Sequence, residues 1–352
     1  MPIASSLLDK PRLVKKLRDF YTYVNKNNGK VGVKTRGIDL NFNNACNLRC
    51  KYCFTNSPKG DHVKEYLDYK AIRDLADQAD ELGYFEFDLQ GGELLLQPDK
   101  LFKVLEAIKP ERFYLYLTTN GYYLDDKMAK KLAEYKVSRI SVSIDSMDEK
   151  IHDEIRGRKD SWRRAMEGLK FVQKYGMDPY LNITVGHYNI HTDHLKKLLD
   201  YSKEQKYKTL INVAVPAGMW QKMDQIICND KDREYLKKLR RDYKNLVRNI
   251  WNPFDKTNEK ILGCTTVNRL YITPIGDVLV CPYVHIKIGN IFNQRLRDIV
   301  KHGFSIKYFK NHSDLCLAGE DKNFINKFMT KEGQTIFNPA DSKEIFSKDD
   351  YI

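Results

Sequence analysis

Short β-rich runs alternate with longer helical runs from residue 37 to residue 215, and this rhythm narrows the fold more than any other feature. The strand candidates are 37–42 (GIDLNF), 84–89 (YFEFDL), 112–118 (RFYLYLT), 138–144 (SRISVSI), 180–185 (YLNITV) and 210–215 (LINVAV). The spacing predicts helices over 69–82, 98–108, 125–135, 161–175 and 192–205. Repeated β/α units at this interval argue for a parallel α/β sheet, open or rolled into part of a barrel. Ahead of it, Leu13, Val14, Leu17, Phe20 and Tyr21 recur at helical spacing, and Asn27-Asn28-Gly29 breaks the pattern. After about residue 220 the rhythm is lost. A charged helical stretch (230–248) leads through a turn-rich linker to a hairpin, LYITPIGDVLVC (270–281), and a short helix near 294–302. The expected organisation is an N-terminal helical extension (1–34), the α/β barrel unit (35–225), a linker helix and hairpin unit (226–320) and a polar C-terminal tail (321–352).

Composition sets the class. The chain has 352 residues, 42% of them hydrophobic, enough to build a sizeable core. No apolar run approaches the roughly 20 residues of a membrane span. The opening residues lack the apolar core and cleavage site of a signal peptide. A cytoplasmic location follows as the default, where thiols stay reduced and clustered cysteines point to metal. The net charge of +13 comes from lysines spread along the whole chain. With no zinc-finger spacing, RNA-binding aromatic signature or dense basic block, the charge reads as compositional bias, and neither nucleic acid nor membrane is an expected partner.

The stretch NNACNLRCKYCFTN (43–56) holds three of the seven cysteines: Cys46, Cys50 and Cys53. They follow directly after the first strand, and parallel α/β barrels build active sites from loops at the carboxyl ends of their strands. A structural zinc site takes four ligands in a closed tetrahedron, and a cubane cluster is usually held by four thiolates. Three thiolates with no fourth Cys or His beside them leave one metal position open, for substrate or cofactor. A three-cysteine zinc knuckle completed by a remote residue is the plainer alternative.

The run from Cys46 to Cys53 resembles the CxxxCxxC motif of the radical SAM enzymes, with the usual aromatic, Tyr52, before the third cysteine. The resemblance implies a partial (β/α)6 TIM-like barrel and a [4Fe–4S] cluster whose fourth iron binds the amino and carboxylate groups of S-adenosylmethionine (SAM). It implies reductive cleavage of SAM to a 5′-deoxyadenosyl radical that takes a hydrogen atom from substrate, with a flavodoxin- or ferredoxin-type protein as electron donor. Gly91-Gly92-Glu93, at the end of the second strand, resembles the family's GGE motif, which receives the SAM amino group. Asn120 in TTNG (118–121) ends the third strand, where relatives often place polar residues near SAM. Ser143 and Asp145 in SVSID resemble positions that contact the SAM ribose or carboxylate. Arg156 resembles an arginine that holds the carboxylate. Asn182 and Val185 are placed to flank ribose and adenine. Strand-end capping and a surface ion pair are the plain readings of Ser143 and Arg156.

Cys264, Cys281 and Cys316 come after the barrel. Cys264, eleven residues, Gly276, four residues and Cys281 resemble the opening of the SPASM and twitch extensions, in which a hairpin presents cysteines to an auxiliary cluster. Gly276-Asp277 is a plausible turn. No cysteine follows Cys316, and that departure from the full SPASM pattern favours the shorter, twitch-like form with one auxiliary [4Fe–4S] cluster. A zinc site is the alternative. The fourth ligand stays open between Cys228, a non-cysteine side chain, water and substrate, with Cys228 more simply an ordinary buried thiol.

The expected activity is hydrogen-atom abstraction from a small molecule: a sugar, an aminocyclitol or a nucleotide-linked precursor. Dehydrogenation or epimerisation would fit, and an epimerase would need Cys228 as its hydrogen donor. Met219, Trp220 and Gln221, in the loop after the sixth strand, are expected on the substrate side. Peptide maturation is the main rival. Relatives of that kind commonly carry a leader-binding domain ahead of the barrel, and the 45 residues before Cys46 do not resemble one. A non-catalytic iron–sulfur or zinc protein is a distant third.

Overall fold

The computed structural model describes residues 10–57, 67–253, 255, 257, 259–330 and 333–352. Residues 1–9 of the expected N-terminal extension lie outside the described residues. The six expected strands form as β1 (Gly37–Asn41), β2 (Glu86–Gln90), β3 (Tyr114–Thr119), β4 (Arg139–Ser143), β5 (Asp178–Val185) and β6 (Lys208–Val213). Each pairs in parallel with the next in sequence, and a two-residue strand, β7 (Leu246–Val247), extends the row past β6.

Residues alternate along each strand, as the two-residue period of a strand demands. Ile38, Leu40, Phe87, Leu89, Leu115 and Leu117 are fully buried in one apolar core. Between them, Asp39, Asp88, Tyr116, Arg139 and Tyr180 take the other face. The polar face is concave. Arg269 bonds Asp39 on β1 and the Tyr116 hydroxyl on β3, a reach that requires a rolled sheet. It also meets Glu86 at 2.8 Å, and the Arg139 guanidinium lies 3.8 Å from the centre of the Tyr180 ring. Paired charges therefore close the barrel floor, as buried charges require. The carboxyl ends of the strands form the mouth.

The amphipathic start is helix α1 (Pro11–Lys26), with proline in its first turn, where a missing N–H costs nothing. The expected helices between strands are α2 (Tyr69–Glu81), α3 (Pro98–Ile108), α4 (Asp126–Glu134), α6 (Ser161–Lys174) and α7 (Asp193–Glu204). Helix α5 (Glu149–Arg156) was not legible from periodicity, because it buries only His152 and Arg156 and shows no apolar stripe. Helix α8 (Asp230–Asp242) stops short of the expected 248, where the chain turns into β7.

The C-terminal extension continues the same sheet. Strand β8 (Arg269–Ile272) pairs in parallel with β1. Strand β9 (Asp277–Leu279) returns antiparallel to it, through a turn in which Gly276 adopts φ +80° and donates to the Thr273 carbonyl at 2.9 Å. Strands β10 (Ile286–Asn290) and β11 (Ala340–Asp341) complete the sheet beyond β9. The expected boundary near 225 thus separates sequence patterns rather than sheets. The described residues of 321–352, read as a polar peripheral tail, are packed. Phe324, Phe328 and Phe346 stack into one aromatic group with Tyr308 and Phe309. A few large rings spaced through polar sequence supply this packing without a periodic signal. No helix among the described residues is long and apolar enough to cross a membrane.

Candidate active site

The loop after β1 carries Cys46, Cys50 and Cys53 without regular secondary structure of its own, and backbone from three other segments holds it. Gly92 donates to the Asn43 carbonyl at 3.1 Å and Glu93 to that of Ala45 at 2.7 Å, from the end of β2. Arg49 and Lys51 donate to the carbonyls of Arg156 and Ile155 at the end of α5. Met219 donates to the Cys53 carbonyl at 3.0 Å from the loop after β6. These approaches exclude side chains. A Cβ on Gly92 would lie 2.2 Å from the Ala45 oxygen, and one on Gly218 would lie 2.3 Å from the Cys53 oxygen. The two glycines at the end of β2 are needed for packing against the cysteine loop before any ligand is considered.

All three thiols line one cavity at the barrel mouth, of about 980 Å3 with its open end included. Cys46 accepts from the Leu48 amide at 3.4 Å, Arg156 Nη1 stands 3.7 Å from Cys50 Sγ, and Thr55 Oγ1 lies 3.1 Å from Cys53 Sγ. Burial pushes the Cys46 thiol up to about 12 and raises that of Cys50. Among the described residues no three His, Cys, Asp or Glu side chains converge on one ion-sized point; the sulfurs share a wall. Four buried amide atoms around this loop lack partners: Asn43 Oδ1, Asn44 Nδ2, Asn47 Nδ2 and Asn56 Oδ1. Three cavity-facing thiols, N–H donors aimed at two of them and unpartnered amides beside them fit a thiolate-held cluster with a polar ligand.

The other expected residues divide. Gly91, Gly92, Tyr52, Asn120, Ser143, Asn182 and Arg156 line the cavity. Arg156 is paired with Asp145 at 2.7 Å, and Asp145 also accepts from the Tyr52 hydroxyl. Asp145 therefore backs the wall rather than facing it. Glu93, expected to receive an ammonium, is 1% exposed. Its carboxylate already accepts from the Leu95 amide at 2.9 Å, the Thr119 hydroxyl at 2.7 Å and the Asn120 amide at 2.8 Å. It ties the end of β2 to the end of β3 and points away from the cavity lining. Val185 turns its side chain into the core. Cys228, expected as a hydrogen donor, is fully buried, with Sγ 4.0 Å from the Val185 carbonyl and no face on the cavity. Burial raises that thiol to about 12. Trp220 lines the cavity and packs on Tyr52, ring centres 5.0 Å apart; Met219 is absent from its lining, and Gln221 lines a smaller pocket beside it.

Sequence reading missed Gln90, Thr118, Thr184 and Asn212, all on the cavity wall. Strand alternation held the signal, since these are the last polar, inward residues of their strands. It also missed Tyr283, which follows Cys281 by two residues and reaches the same cavity, stacked edge-on to Phe54 at 5.3 Å.

The second set of thiols assembles beside the hairpin. Cys281 follows β9, the Cys264 amide donates to the Ser313 carbonyl at 2.8 Å, and the Cys316 amide donates to Glu320 at 2.8 Å. Burial first, and then the neighbouring Cys316 and Cys264, raise the Cys281 thiol. Under Cys316, Arg248 and Glu320 form a two-pronged ion pair at 2.6 and 3.1 Å, both side chains buried. All seven cysteines are free.

Comparison with known proteins follows the same division. The radical SAM superfamily model matches residues 40–202, and the SPASM iron–sulfur cluster-binding domain matches residues 264–318. A GTP 3′,8-cyclase of Nautilia profundicola is 33% identical over 171 residues, 48% of this chain and 52% of that protein. The chain thus spans about half the length of that relative, and 44% of a second cyclase, from Rippkaea orientalis. An AdoMet-dependent heme synthase of Methanosarcina barkeri is 23% identical over 296 residues, 77% of this chain and 83% of that protein. Among solved structures, Streptococcus suis SuiB bound to the precursor peptide SuiA aligns with a TM-score of 0.59 at 18% identity, over 81% of this chain and 68% of that one. The protein anSMEcpe, with bound AdoMet and the Cp18Cys peptide, aligns with a TM-score of 0.62 at 21% identity, over 86% and 94%. At these identities the two structures share the fold. The two matched domains imply a SAM-binding [4Fe–4S] cluster and an auxiliary cluster.

Proposed function

Because this chain belongs to the radical SAM superfamily and carries its SPASM extension, we propose that its cavity takes an uncharged, hydroxyl-bearing small molecule, such as a sugar or cyclitol, and dehydrogenates it. The observation that carries this reading is the chemistry of the wall. Gln90, Thr118, Ser143, Asn182, Thr184 and Asn212 present neutral amides and hydroxyls, and Arg156 is the one charged side chain among the described residues of the lining. Asp145 already shares that charge. A phosphate ester calls for several cationic donors, so this wall suits neutral ligands better than nucleotide-linked ones. When bound, the cluster and SAM supply reductive cleavage of SAM and a hydrogen-abstracting radical. The chain's own part is to hold Arg156 and the asparagines where amino, carboxylate and hydroxyl groups meet partners, and to wall the cavity with Tyr52, Trp220 and Tyr283.

The position of Cys228 favours dehydrogenation over epimerisation, because the one thiol outside the two cysteine sets has no path to a substrate carbon. Cys46, Cys50 and Cys53 are the proposed ligands of the reactive cluster, and Cys264, Cys281 and Cys316 those of the auxiliary one, which would accept the electron left on the substrate after hydrogen-atom abstraction as its second proton is released to solvent. A cytoplasmic setting and a flavodoxin- or ferredoxin-type reductant go with this chemistry. Peptide maturation is the second reading, favoured by fold likeness to SuiB and anSMEcpe, whose structures hold peptides.

The test is anaerobic turnover of the reconstituted enzyme with SAM and a reductant against uncharged sugars and cyclitols. Substrate-dependent 5′-deoxyadenosine and a product two mass units lighter are expected. An unchanged mass with solvent deuterium incorporated would point to epimerisation. A response to phosphorylated compounds or peptides alone would overturn the neutral small-molecule reading.

A further inference from the structure

Beside the main cavity is a smaller pocket of about 210 Å3 with its open end included, lined by Pro216, Ala217, Gln221, Tyr283, His285, Met329 and Gln334. Ala217 and Tyr283 line both spaces, so the pocket adjoins the cavity as a side arm would. Two of its residues carry buried polar atoms with no partner, His285 Nε2 and Gln334 Oε1. Both residues are more than nine-tenths buried, at 3% and 5% exposed. An orphaned polar atom at such depth is costly, and native structures carry few of them. Two in one pocket, whose other lining residues are Pro216, Ala217, Gln221, Tyr283 and Met329, call for a shared partner.

The hydrogen-bond network defines that partner. Gln334 Nε2 donates to the His285 carbonyl at 2.8 Å, which leaves Oε1 as the unpartnered acceptor. His285 is neutral: burial pulls its pKa down to about 4, although the carbonyls of Gln334 and Pro282 lie against the ring. A neutral imidazole nitrogen either accepts or donates, according to tautomer. A hydroxyl satisfies both groups in either case. It donates to the amide oxygen and gives or takes at the imidazole. An ammonium lacks the acceptor that one tautomer needs. A phosphate or carboxylate would press its oxygens against Gln334 Oε1 with no cation to compensate.

We infer that the side arm formed by His285 and Gln334 is a substrate subsite that binds a hydroxyl group at the end of the ligand lying toward the C-terminal hairpin. The inference rests on the neutral-substrate reading above and adds to it the residues that select the hydroxyl. It also gives the segment around 334 a part in recognition.

The experiment measures binding to the reconstituted, SAM-loaded protein by saturation-transfer NMR and calorimetry. The probes are D-glucose and myo-inositol, with glucose 6-phosphate as the anionic comparison. The variants are Gln334→Met, which keeps length and loses the acceptor, and His285→Asn, which keeps a polar group near the ring's δ position and loses Nε2. Iron content, SAM affinity and melting temperature report that each variant is folded and loaded. The expected result is a neutral probe that binds the wild type at least tenfold more tightly than either variant, with SAM affinity unchanged and glucose 6-phosphate excluded. Equal binding of a neutral probe to wild type and both variants overturns the subsite and leaves the neutral-substrate reading standing; the side arm then holds water only. Binding of glucose 6-phosphate alone, or of no probe to the wild type, overturns the reading and the subsite with it. If one variant does not fold, the other decides.

Discussion

The two cysteine sites use the same three-thiol theme on different foundations. At the barrel mouth, Cys46, Cys50 and Cys53 sit on an irregular loop whose shape is imposed by backbone bonds from the ends of β2, α5 and β6. Glycines make those approaches possible, and unpartnered amides surround the loop. At the hairpin, Cys281 follows a strand, and the Cys316 amide is tied to a buried ion pair. The first site is moulded by its neighbours and faces an open cavity. The second is anchored from beneath. The difference teaches that the mouth depends on close packing without side chains, whereas the hairpin depends on charge pairing.

The comparison breaks most sharply at the ligands themselves. Replacing Cys46, Cys50 and Cys53 by alanine is expected to lower reconstituted iron from about eight to about four per chain and to abolish SAM cleavage. Replacing Cys264, Cys281 and Cys316 is expected to leave the other four irons and SAM binding. Iron and sulfide assays with electron paramagnetic resonance read both. About four irons in the wild type and almost none in the first variant would mean that the hairpin holds no iron–sulfur cluster.

The foundations come next. Glu320→Ala leaves the Arg248 guanidinium buried without its counter-ion and the Cys316 amide without its acceptor. We expect a loss of about 3–5 kcal/mol in unfolding free energy, with iron lost first from the hairpin site. Gly218→Ala drives a methyl into the Cys53 carbonyl. We expect about 1–3 kcal/mol of strain, with iron lost from the mouth site alone. Denaturant unfolding and iron retention test the pair, and loss from the same site in both variants would erase the distinction.

The smallest expected effect concerns His152, buried behind the mouth. Its Nδ1 accepts from the Asp145 amide at 3.2 Å, and burial lowers its pKa to about 4. The unfolded chain takes up this proton near pH 6.5 and the folded chain does not. The stability is fully present above 6.5 and is lost as pH falls toward 4. At pH 5.5 the loss is about 1.4 kcal/mol. His152→Asn should flatten that part of the melting-temperature profile, and an unchanged slope would refute the assignment.

Much of this architecture was legible in the chain. The alternation of Ile38, Leu40, Phe87 and Leu89 with polar neighbours marks buried strands, and the spacing of the two cysteine sets marks their sites. Gly276 marks the hairpin turn. What escaped is tertiary in origin. Glu93 reads as a ligand-binding carboxylate, and only the fold brings Thr119 and Asn120, from the end of another strand, to bond it. Gly218 looks like an ordinary loop glycine because the carbonyl it accommodates is more than 160 residues away in sequence. His285 and Gln334 belong to no periodic pattern, and only the folded chain brings them to one pocket. The aromatic packing of 321–352 was hidden in polar composition.

The parallel pairing of β8 with β1 has a consequence for solubility. If the C-terminal hairpin peels away, the flank of β1 from Gly37 to Leu40 loses its neighbour. An exposed row of backbone donors and acceptors in an apolar strand recruits strands from other molecules. A chain truncated before residue 269, or one in which the hairpin fails to close, would therefore enter inclusion bodies rather than accumulate as a free barrel. The hairpin acts as a guard rail against self-association, whatever metal it carries.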